Sequence, residues 1–329
     1  MYTFKDVIGH DQETQYLQGV ISSGKTAHAY IIAGPDGAGK NMLAGIFAAA
    51  LVCESSGERP CGSCGACRKA DSKNHPDIRY VTHEKPALIS VDEIRQQVVE
   101  DMPVRPYYGG RKVYIIDDAQ KMNAAAQNAL LKSLEEPPAY AVVLLLTTAA
   151  ESLLETVRSR CVRLELTPVR ADLVEKYLME HAQVPDYRAR ECSAFARGSI
   201  GRAMELAGSE DFDQIRLSAL MVVTKVADMD VSQITAVVRD ISEYKLRIRD
   251  FLDILSVWYR DVLYFKATRV ADALVFKDQL GQIRKAASVS SYEGIQNILS
   301  AIESAEARLE ANVNFDLTME LLLLTMKEN

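Results

Sequence analysis

The chain has 329 residues, 48% hydrophobic and 25% charged, which is typical of a globular protein long enough for two or three domains. Its net charge of −7 is opposite to the basic surplus of proteins that bind nucleic acid alone, so any DNA contact is expected to be local or shared with partners. Apolar runs such as residues 141–146 are too short to span a bilayer, and the N-terminus lacks a signal-peptide pattern, so a cytoplasmic location is expected.

A glycine-rich segment, residues 34–41, follows a short apolar run and precedes a helical pattern. In this context the pattern G-x-x-x-x-G-K lets backbone N–H groups surround phosphate, and Lys40 would reach the β- and γ-phosphates. The glycines are Gly34, Gly37 and Gly39. The next residue in an active loop is Ser or Thr, which holds magnesium, but here it is Asn41. We predict a loop that holds nucleotide and is poorly suited to hydrolysis; an ordinary glycine-rich turn is the alternative.

Four of the six cysteines cluster after the helical pattern: Cys53, Cys61, Cys64 and Cys67. The last three form two overlapping C-x-x-C steps, a spacing that lets thiolates converge on one ion. We therefore predict a closed structural Zn²⁺ site within residues 53–67. A redox-active C-x-x-C pair is the alternative. The isolated Cys161 and Cys192 are predicted to be core residues.

Two further apolar runs end in polar residues. The run at residues 113–116 predicts a buried parallel strand that ends in Asp117 and Asp118, at the edge where open α/β sheets bind ligands. In such a site the first acid orients magnesium and the second, normally Glu, polarises the attacking water. Asp118 is one methylene shorter than Glu, which predicts impaired hydrolysis; two acids that merely end a strand are the alternative. A later strand ends in Thr147 and Thr148, placed to sense a γ-phosphate.

The pattern becomes helical from residue 168 to the end. Residues 168–208 predict a small helical lid, and residues 209–329 predict an all-α domain with an apolar stripe around Trp258. Such stripes are more often core than interface, but the four consecutive leucines at 321–324 indicate that more than one helix face is covered.

Together these motifs resemble the AAA+ clamp loaders of DNA replication. The matching segments are residues 34–40, 117–118, 128–132, 135–138, 147–148, 159–161 and 201–203. The four-cysteine insertion is similar to that of the bacterial DNA polymerase III type. The resemblance implies an α/β AAA+ P-loop domain at residues 1–167, with a parallel sheet flanked by helices and a zinc module. It also implies that the helical domain at 209–329 is a collar through which subunits oligomerise.

The resemblance also implies roles for single residues. Lys40 would bind phosphate, Asp117 magnesium, and Thr147 or Thr148 would be the first sensor of nucleotide. Arg202 would be the second sensor. Arg160 would be an arginine finger that acts in trans on a neighbouring subunit.

Two functions follow from the resemblance. In the first, the chain is a non-hydrolysing structural member of a hetero-pentamer with gamma/tau and delta subunits, reaching the sliding clamp and primer-template DNA through the complex. In the second, it is an ATP-hydrolysing gamma/tau-type subunit. Asn41 and Asp118 favour the first, as does the length, because a tau form would continue well beyond residue 329. A helicase-loading or Holliday-junction motor lacks support from the cysteine-rich insertion.

Overall fold

The computed structural model describes residues 1–108 and 110–329, which divide into two compact units. Unit 1 comprises Met1–Leu173 and Gly198–Gly201. Unit 2 comprises Val174–Arg197 and Arg202–Asn329. The separation of a lid at 168–208 from a collar at 209–329 stays a prediction.

A five-stranded parallel sheet lies at the centre of unit 1, in the order β2-β3-β4-β1-β5. The strands are β1 (Ala29–Ala33), β2 (Ile78–Tyr80), β3 (Lys112–Ile116), β4 (Ala141–Thr147) and β5 (Val162–Glu165). Every residue of β1, β3 and β4 is buried. Because both faces of these strands are covered, their sequences are nearly continuous apolar runs and do not alternate with polar residues.

Helices cover both faces of this sheet. They are α1 (Asp11–Ser23), α2 (Lys40–Val52), α3 (Gly65–Asp71), α4 (Val91–Ile94), which continues as a π-helical turn (Arg95–Val99), α5 (Ala124–Glu135) and α6 (Glu155–Arg158). Successive side chains of β1 point to opposite faces. Tyr30 and Ile32 join the core that contains Phe47 of α2, whereas Ile31 joins the core that contains Leu130 of α5. The predicted parallel sheet flanked by helices is therefore confirmed.

Unit 2 is helical. Two helices, α7 (Ala171–Ala182) and α9 (Ile200–Ala207), include the chain positions where the units divide; the others are α8 (Asp186–Ala196), α10 (Glu210–Lys225), α11 (Val231–Ser242), α12 (Ile248–Thr268), α13 (Leu280–Val289), α14 (Tyr292–Glu310) and α15 (Phe315–Glu328). The predicted stripe around Trp258 lies in the core, where the indole ring centroid is 5.7 Å from that of Phe276. Phe276 in turn lies 6.0 Å from Phe195.

Within residues 1–108 and 110–329, no helix has the length and apolar character that crossing a membrane requires.

Unit 2 offers a direct test of its core, because Trp258 is the only tryptophan of the chain and reports on the unfolding of this unit. Phe251 of α12 is fully buried. Phe251→Ala leaves a cavity and is expected to lower the free energy of unfolding by about 3–5 kcal/mol, measured by Trp258 fluorescence in urea. Leu217→Ala, at an exposed position of α10, is the matched control and is expected to change it by less than about 0.5 kcal/mol. Equal effects of the two substitutions would contradict this description of the core.

Candidate nucleotide site and cysteine cluster

The strand order brings the predicted nucleotide-binding segments to one edge of the sheet. The glycine-rich loop follows β1, Thr147 ends β4 and Asp117 follows β3. Since β4 lies between β1 and β3, Thr147 stands between the other two segments. The backbone N–H of Gly34 donates to the carbonyl oxygen of Thr147 at 3.1 Å. Segments far apart in sequence thus form one candidate site.

The loop backbone requires its three glycines. Gly37 and Gly39 have φ angles of 72° and 90°, in the left-handed region that favours glycine. Gly34 passes close to the end of β5, where an added Cβ would lie 2.6 Å from the carbonyl oxygen of Leu166. The loop conformation therefore needs glycine at all three positions, whereas an ordinary surface turn does not.

Lys40 is buried at the start of α2, and the loop itself binds its ammonium group. The Nζ atom donates to the carbonyl oxygens of Gly34 and Pro35, each at 2.8 Å. The carboxylate of Asp36 lies 3.8 Å away. An ammonium group has three donors, so these partners use much of its capacity. A phosphate bound here would compete with the loop carbonyls for Lys40.

Asn41 and Asp117, the two predicted magnesium-site residues, contact each other directly. The Nδ2 atom of Asn41 donates to Oδ2 of Asp117 at 2.8 Å. The reverse orientation of the amide would place its oxygen against a carboxylate oxygen, so only the donating orientation is favourable. Oδ2 of Asp117 is therefore already engaged by an amide hydrogen.

The carboxylate of Asp118 is engaged by neighbouring side chains. The residue adopts a left-handed backbone conformation with φ of 50°. Its carboxylate accepts hydrogen bonds from Nζ of Lys121 at 2.7 Å and from Nε2 of Gln120 at 2.9 Å. The hydrogen bond from Lys121 is the main cause that lowers the pKa of Asp118, so the group is ionised and engaged. No sequence pattern indicates Lys121 or Gln120, because their contacts depend on the turn after β3.

The two predicted sensor threonines differ in exposure. Thr147 is fully buried, and its hydroxyl accepts a hydrogen bond from the backbone N–H of Ala149 at 3.1 Å. The side chain of Thr148 is exposed, and its backbone N–H donates to Oε1 of Gln120 at 3.3 Å. Thr148 is therefore the better placed of the two for contact with a ligand, and the sensor role itself stays a prediction.

A buried histidine beside the loop was missed by the sequence analysis. The Nε2 atom of His10, just before α1, lies 3.1 Å from the carbonyl oxygen of Ala38. This geometry requires a proton on Nε2, since a carbonyl oxygen accepts only. His10 therefore anchors the loop to the N-terminal helix, a contact that no local pattern indicates.

The two arginines with predicted roles lie in ion pairs. Arg160, between α6 and β5, donates to Oε1 of Glu135 and to the carbonyl oxygen of Thr156, each at 2.8 Å. The side chains of Arg160 and Glu135 are 35% and 49% exposed. In unit 2, Arg202 pairs with Asp250 and lies 2.9 Å from Glu205. The roles of both arginines stay predictions.

The four clustered cysteines come together as the sequence predicts. The sulfur atoms of Cys53, Cys61, Cys64 and Cys67 all lie within 4.8 Å of one another, and none forms a disulfide. The Sγ atoms of Cys61 and Cys67 are 3.9 Å apart. Tetrahedral thiolates at the Zn–S distance of about 2.3 Å are separated by about 3.8 Å. The cluster thus has the dimensions of a four-coordinate metal site.

Hydrogen bonds and burial act on these thiols in opposite directions. The backbone N–H of Cys64 donates to Sγ of Cys61 at 3.4 Å and is the main cause that lowers the pKa of Cys61 to about 6. The N–H of Cys67 likewise donates to Sγ of Cys64 at 3.4 Å. Burial raises the pKa of Cys53 and Cys67. Burial therefore disfavours the thiolate form of these two cysteines unless a positive charge, such as that of a bound cation, compensates for it.

The remaining cysteines lie outside the cluster. Cys192 is buried, and Cys161 packs against the core on one face of the sheet. Burial raises the pKa of Cys161 to about 12. Cys192 is therefore a core residue, as predicted, whereas Cys161 is only partly buried at the edge of a core.

Family models and known proteins match nearly the whole chain. The model described as DNA polymerase III, delta subunit, matches residues 9–170, and that described as DNA polymerase III, delta subunit, C terminal, matches residues 210–328. The delta' subunit of DNA polymerase III from Bacillus subtilis is 30% identical over 317 residues, covering 95% of this chain and 94% of that protein. The delta' subunit from Pseudomonas aeruginosa is 31% identical over 304 residues, covering 90% of each.

Two other similarities are to tau and gamma proteins. The tau subunit of DNA polymerase III from Bacillus subtilis is 28% identical over 285 residues, which are 80% of this chain but only 50% of that protein. Among solved structures, a gamma-subunit-related protein from Thermotoga maritima has 18% identity and a TM-score of 0.42, covering 95% of this chain and 98% of that one.

Proposed function

The chain belongs to the DNA polymerase III delta' family, and we propose that within the clamp loader it is a structural member that does not hydrolyse ATP. It would join gamma/tau and delta subunits in a hetero-pentamer that loads the sliding clamp onto primer-template DNA. The hydrogen bond between Asn41 and Asp117 is the observation that carries this proposal.

The arrangement around Asn41 is unsuited to magnesium. In an active P-loop site, a hydroxyl after the lysine and the acid at the strand end hold the ion that bridges the β- and γ-phosphates. Here an amide N–H group is bound to Oδ2 of Asp117, so this oxygen would have to exchange its partner before it could bind the ion. Asp118, at the position of the water-orienting acid, is bound by Lys121 and Gln120. Both the metal and the nucleophilic water would therefore be misplaced.

These same two positions argue against a gamma/tau-type function. An ATP-hydrolysing subunit would need a hydroxyl at 41 and a carboxylate that reaches the attacking water. The extent of similarity also favours delta', since the delta' relatives match along nearly their whole length and the tau relative along half.

The first test of this proposal is ATP turnover and its metal dependence. The purified chain is expected to hydrolyse ATP far more slowly than about one per second, an ordinary enzyme rate, and Mg²⁺ is not expected to tighten ATP binding. Asn41→Thr restores a hydroxyl and releases Asp117, so Mg²⁺ is expected to tighten binding of a fluorescent ATP analogue to this variant. Lys40→Ala, which removes the phosphate-binding ammonium, is the control for specific binding. Turnover near one per second by the unaltered chain would promote the gamma/tau function.

Arg160 is the residue we propose to act on a neighbouring subunit. Its partner Glu135 is half-exposed, and ion pairs at such surfaces contribute about 1 kcal/mol or less. The guanidinium can therefore leave Glu135 for a γ-phosphate at little cost. A guanidinium at that position neutralises charge that develops on the transferred phosphoryl group.

Arg160→Ala tests this role in the reconstituted clamp loader. The assembled complex is expected to lose most of the DNA-stimulated ATPase of the site that Arg160 serves, since such arginines contribute on the order of a thousandfold. Arg163→Ala, at an exposed arginine of β5, is the matched control and is expected to leave the rate unchanged. Glu135→Gln tests whether the ion pair itself matters. It removes the pair but keeps Arg160, so the ATPase rate is expected to be preserved if Arg160 acts on the neighbouring subunit. Unchanged ATPase in an intact Arg160→Ala complex would leave only the structural role.

The cysteine cluster is proposed to hold one Zn²⁺ ion. Four thiol sulfurs at nearly tetrahedral spacing, with backbone N–H groups directed at two of them, are the donor set that zinc takes in closed structural sites. Bound there, zinc would supply structural stability to the insertion at residues 53–67 and no catalytic chemistry, because four protein ligands complete its coordination.

Metal analysis of protein purified without chelator tests the zinc proposal. About one equivalent of zinc is expected, because such sites bind the ion tightly. Cys64→Ser is expected to lower the zinc content strongly and to loosen the insertion while the sheet of unit 1 stays folded. Cys192→Ser, outside the cluster, is the control and should retain the metal. Less than half an equivalent in the unaltered protein would overturn the proposal.

Unit 2 has a feature that supports a role in oligomerisation. Leu317 and Leu321 lie one helical turn apart on α15 and are 54% and 44% exposed. Thr235 of α11 reaches Glu320 of α15 at 3.5 Å, so these helices are neighbours, and Val231 of α11 is exposed as well. Exposed apolar residues of this kind fit a subunit interface.

A further inference from the structure

A pair of exposed tyrosines in unit 1 has no part in the site described above. Tyr107 and Tyr108 are 79% and 47% exposed, and their ring centroids are 5.0 Å apart in an edge-to-face arrangement. Two adjacent aromatic side chains at a surface cost free energy in water unless a ligand covers them. In the chain they lie between the π-helical turn and β3. The neighbour of β3 on this side is β2, the edge strand of the sheet.

A buried carboxylate fixes the backbone that carries these tyrosines. Asp77, which precedes β2, accepts the backbone N–H of Tyr107 at 2.6 Å through Oδ1 and that of Tyr108 at 3.0 Å through Oδ2. The ring of Tyr108 also packs against buried His75, with centroids 5.5 Å apart. These hydrogen bonds hold the backbone of both tyrosines in place, which lowers the entropy lost when a ligand binds.

The two chain segments that meet at the tyrosines are rich in basic residues, although the chain is acidic overall. Segments 68–73 and 105–111 contain Arg68, Lys69, Lys73, Arg105 and Arg111 but one acidic residue, Asp71. The two segments meet where Nζ of Lys69 donates to the hydroxyl of Tyr108. Asp71 lies 3.5 Å from the N-terminal amine, and Glu54 is the other acid near Lys69. We call Tyr107, Tyr108, Lys69 and Arg105 the tyrosine patch.

We propose that the tyrosine patch binds single-stranded DNA, with a base stacked on Tyr107 and phosphates near Lys69 and Arg105. Exposed aromatic rings beside cationic side chains are the combination by which proteins bind single strands without sequence preference. Charge complementarity selects a polyanion, and the open ring of Tyr107 selects one with flat bases. This inference rests on the proposed function, because the single strand would come from the DNA on which a clamp loader acts.

Fluorescence anisotropy with a labelled oligothymidylate of about 20 nucleotides tests this proposal on the full chain at low salt. Tyr107→Ala is expected to weaken binding between about fivefold and a hundredfold, the range for loss of one stacked base. Tyr107→Phe keeps the ring and is expected to bind as the unaltered chain does. Tyr187→Ala, at an exposed tyrosine of unit 2, is the matched control and should not weaken binding.

Two further measurements distinguish the contribution of the bases to binding from that of the phosphates. An abasic strand of equal charge is expected to bind more weakly than oligothymidylate and to be insensitive to Tyr107→Ala. Arg105→Ala is expected to reduce the slope of log affinity against log salt by about 0.7, the value for one phosphate contact on a single strand. Lys176→Ala in unit 2 is the charge control. Equal affinities of Tyr107→Ala and the unaltered chain, or preference for an acidic peptide over the oligonucleotide, would overturn the proposal.

Assembly measured on the same proteins keeps this inference separate from the proposed function. Tyr107→Ala is expected to join gamma/tau and delta subunits on a sizing column as the unaltered chain does. Assembly without oligonucleotide binding would overturn the tyrosine patch alone. Oligonucleotide binding without assembly would overturn the proposed function and retain the patch.

Discussion

The parallel pairing of β4 with both β1 and β3 is the constraint on which the rest of unit 1 depends. It sets Ile31 opposite Leu145 and Tyr114 opposite Val143, and every residue of the three strands is buried. Because side chains of a buried strand fill the cores on both faces, a change of register would displace both cores together. This fixed register brings the carboxyl ends of the strands, and so the glycine-rich loop and Asp117, to one edge of the sheet.

At that edge the polar groups satisfy one another. Lys40 is bound by carbonyl oxygens of its own loop, Asn41 donates to Asp117, and Lys121 neutralises Asp118. In a nucleotide-hydrolysing site these groups would instead be directed at phosphates, magnesium and water. A site whose charges are already paired has little electrostatic free energy to gain from a metal ion. This pairing of the polar groups is the basis of the proposal that the domain does not hydrolyse ATP itself.

The surfaces of unit 1 carry the residues that are proposed to act on other molecules. Arg160 lies in a half-exposed ion pair with Glu135, and such pairs are weak, as the proposed role in trans requires. The cysteine cluster folds the insertion after α2 around one metal-sized space, and α3, which begins within that insertion, presents Lys69 to Tyr108. A structural metal there would stabilise the helix that supports the tyrosine patch. The cysteine cluster and the proposed DNA contact are therefore physically linked through α3.

The sequence alone determined those features that depend on short spacings. The glycine-rich loop was predictable because glycine alone adopts its backbone conformations easily. The cysteine cluster was predictable because the short spacing suffices to bring the sulfur atoms together. The sequence also identified Asn41 and Asp118 as departures from a hydrolysing site. Only the tertiary structure decided the contacts of these groups, because Asn41 and Asp117 are 76 positions apart and meet through the strand order. The anchoring of the loop by His10 and the support of Tyr107 by Asp77 depend on the same long-range packing, which no local periodicity encodes.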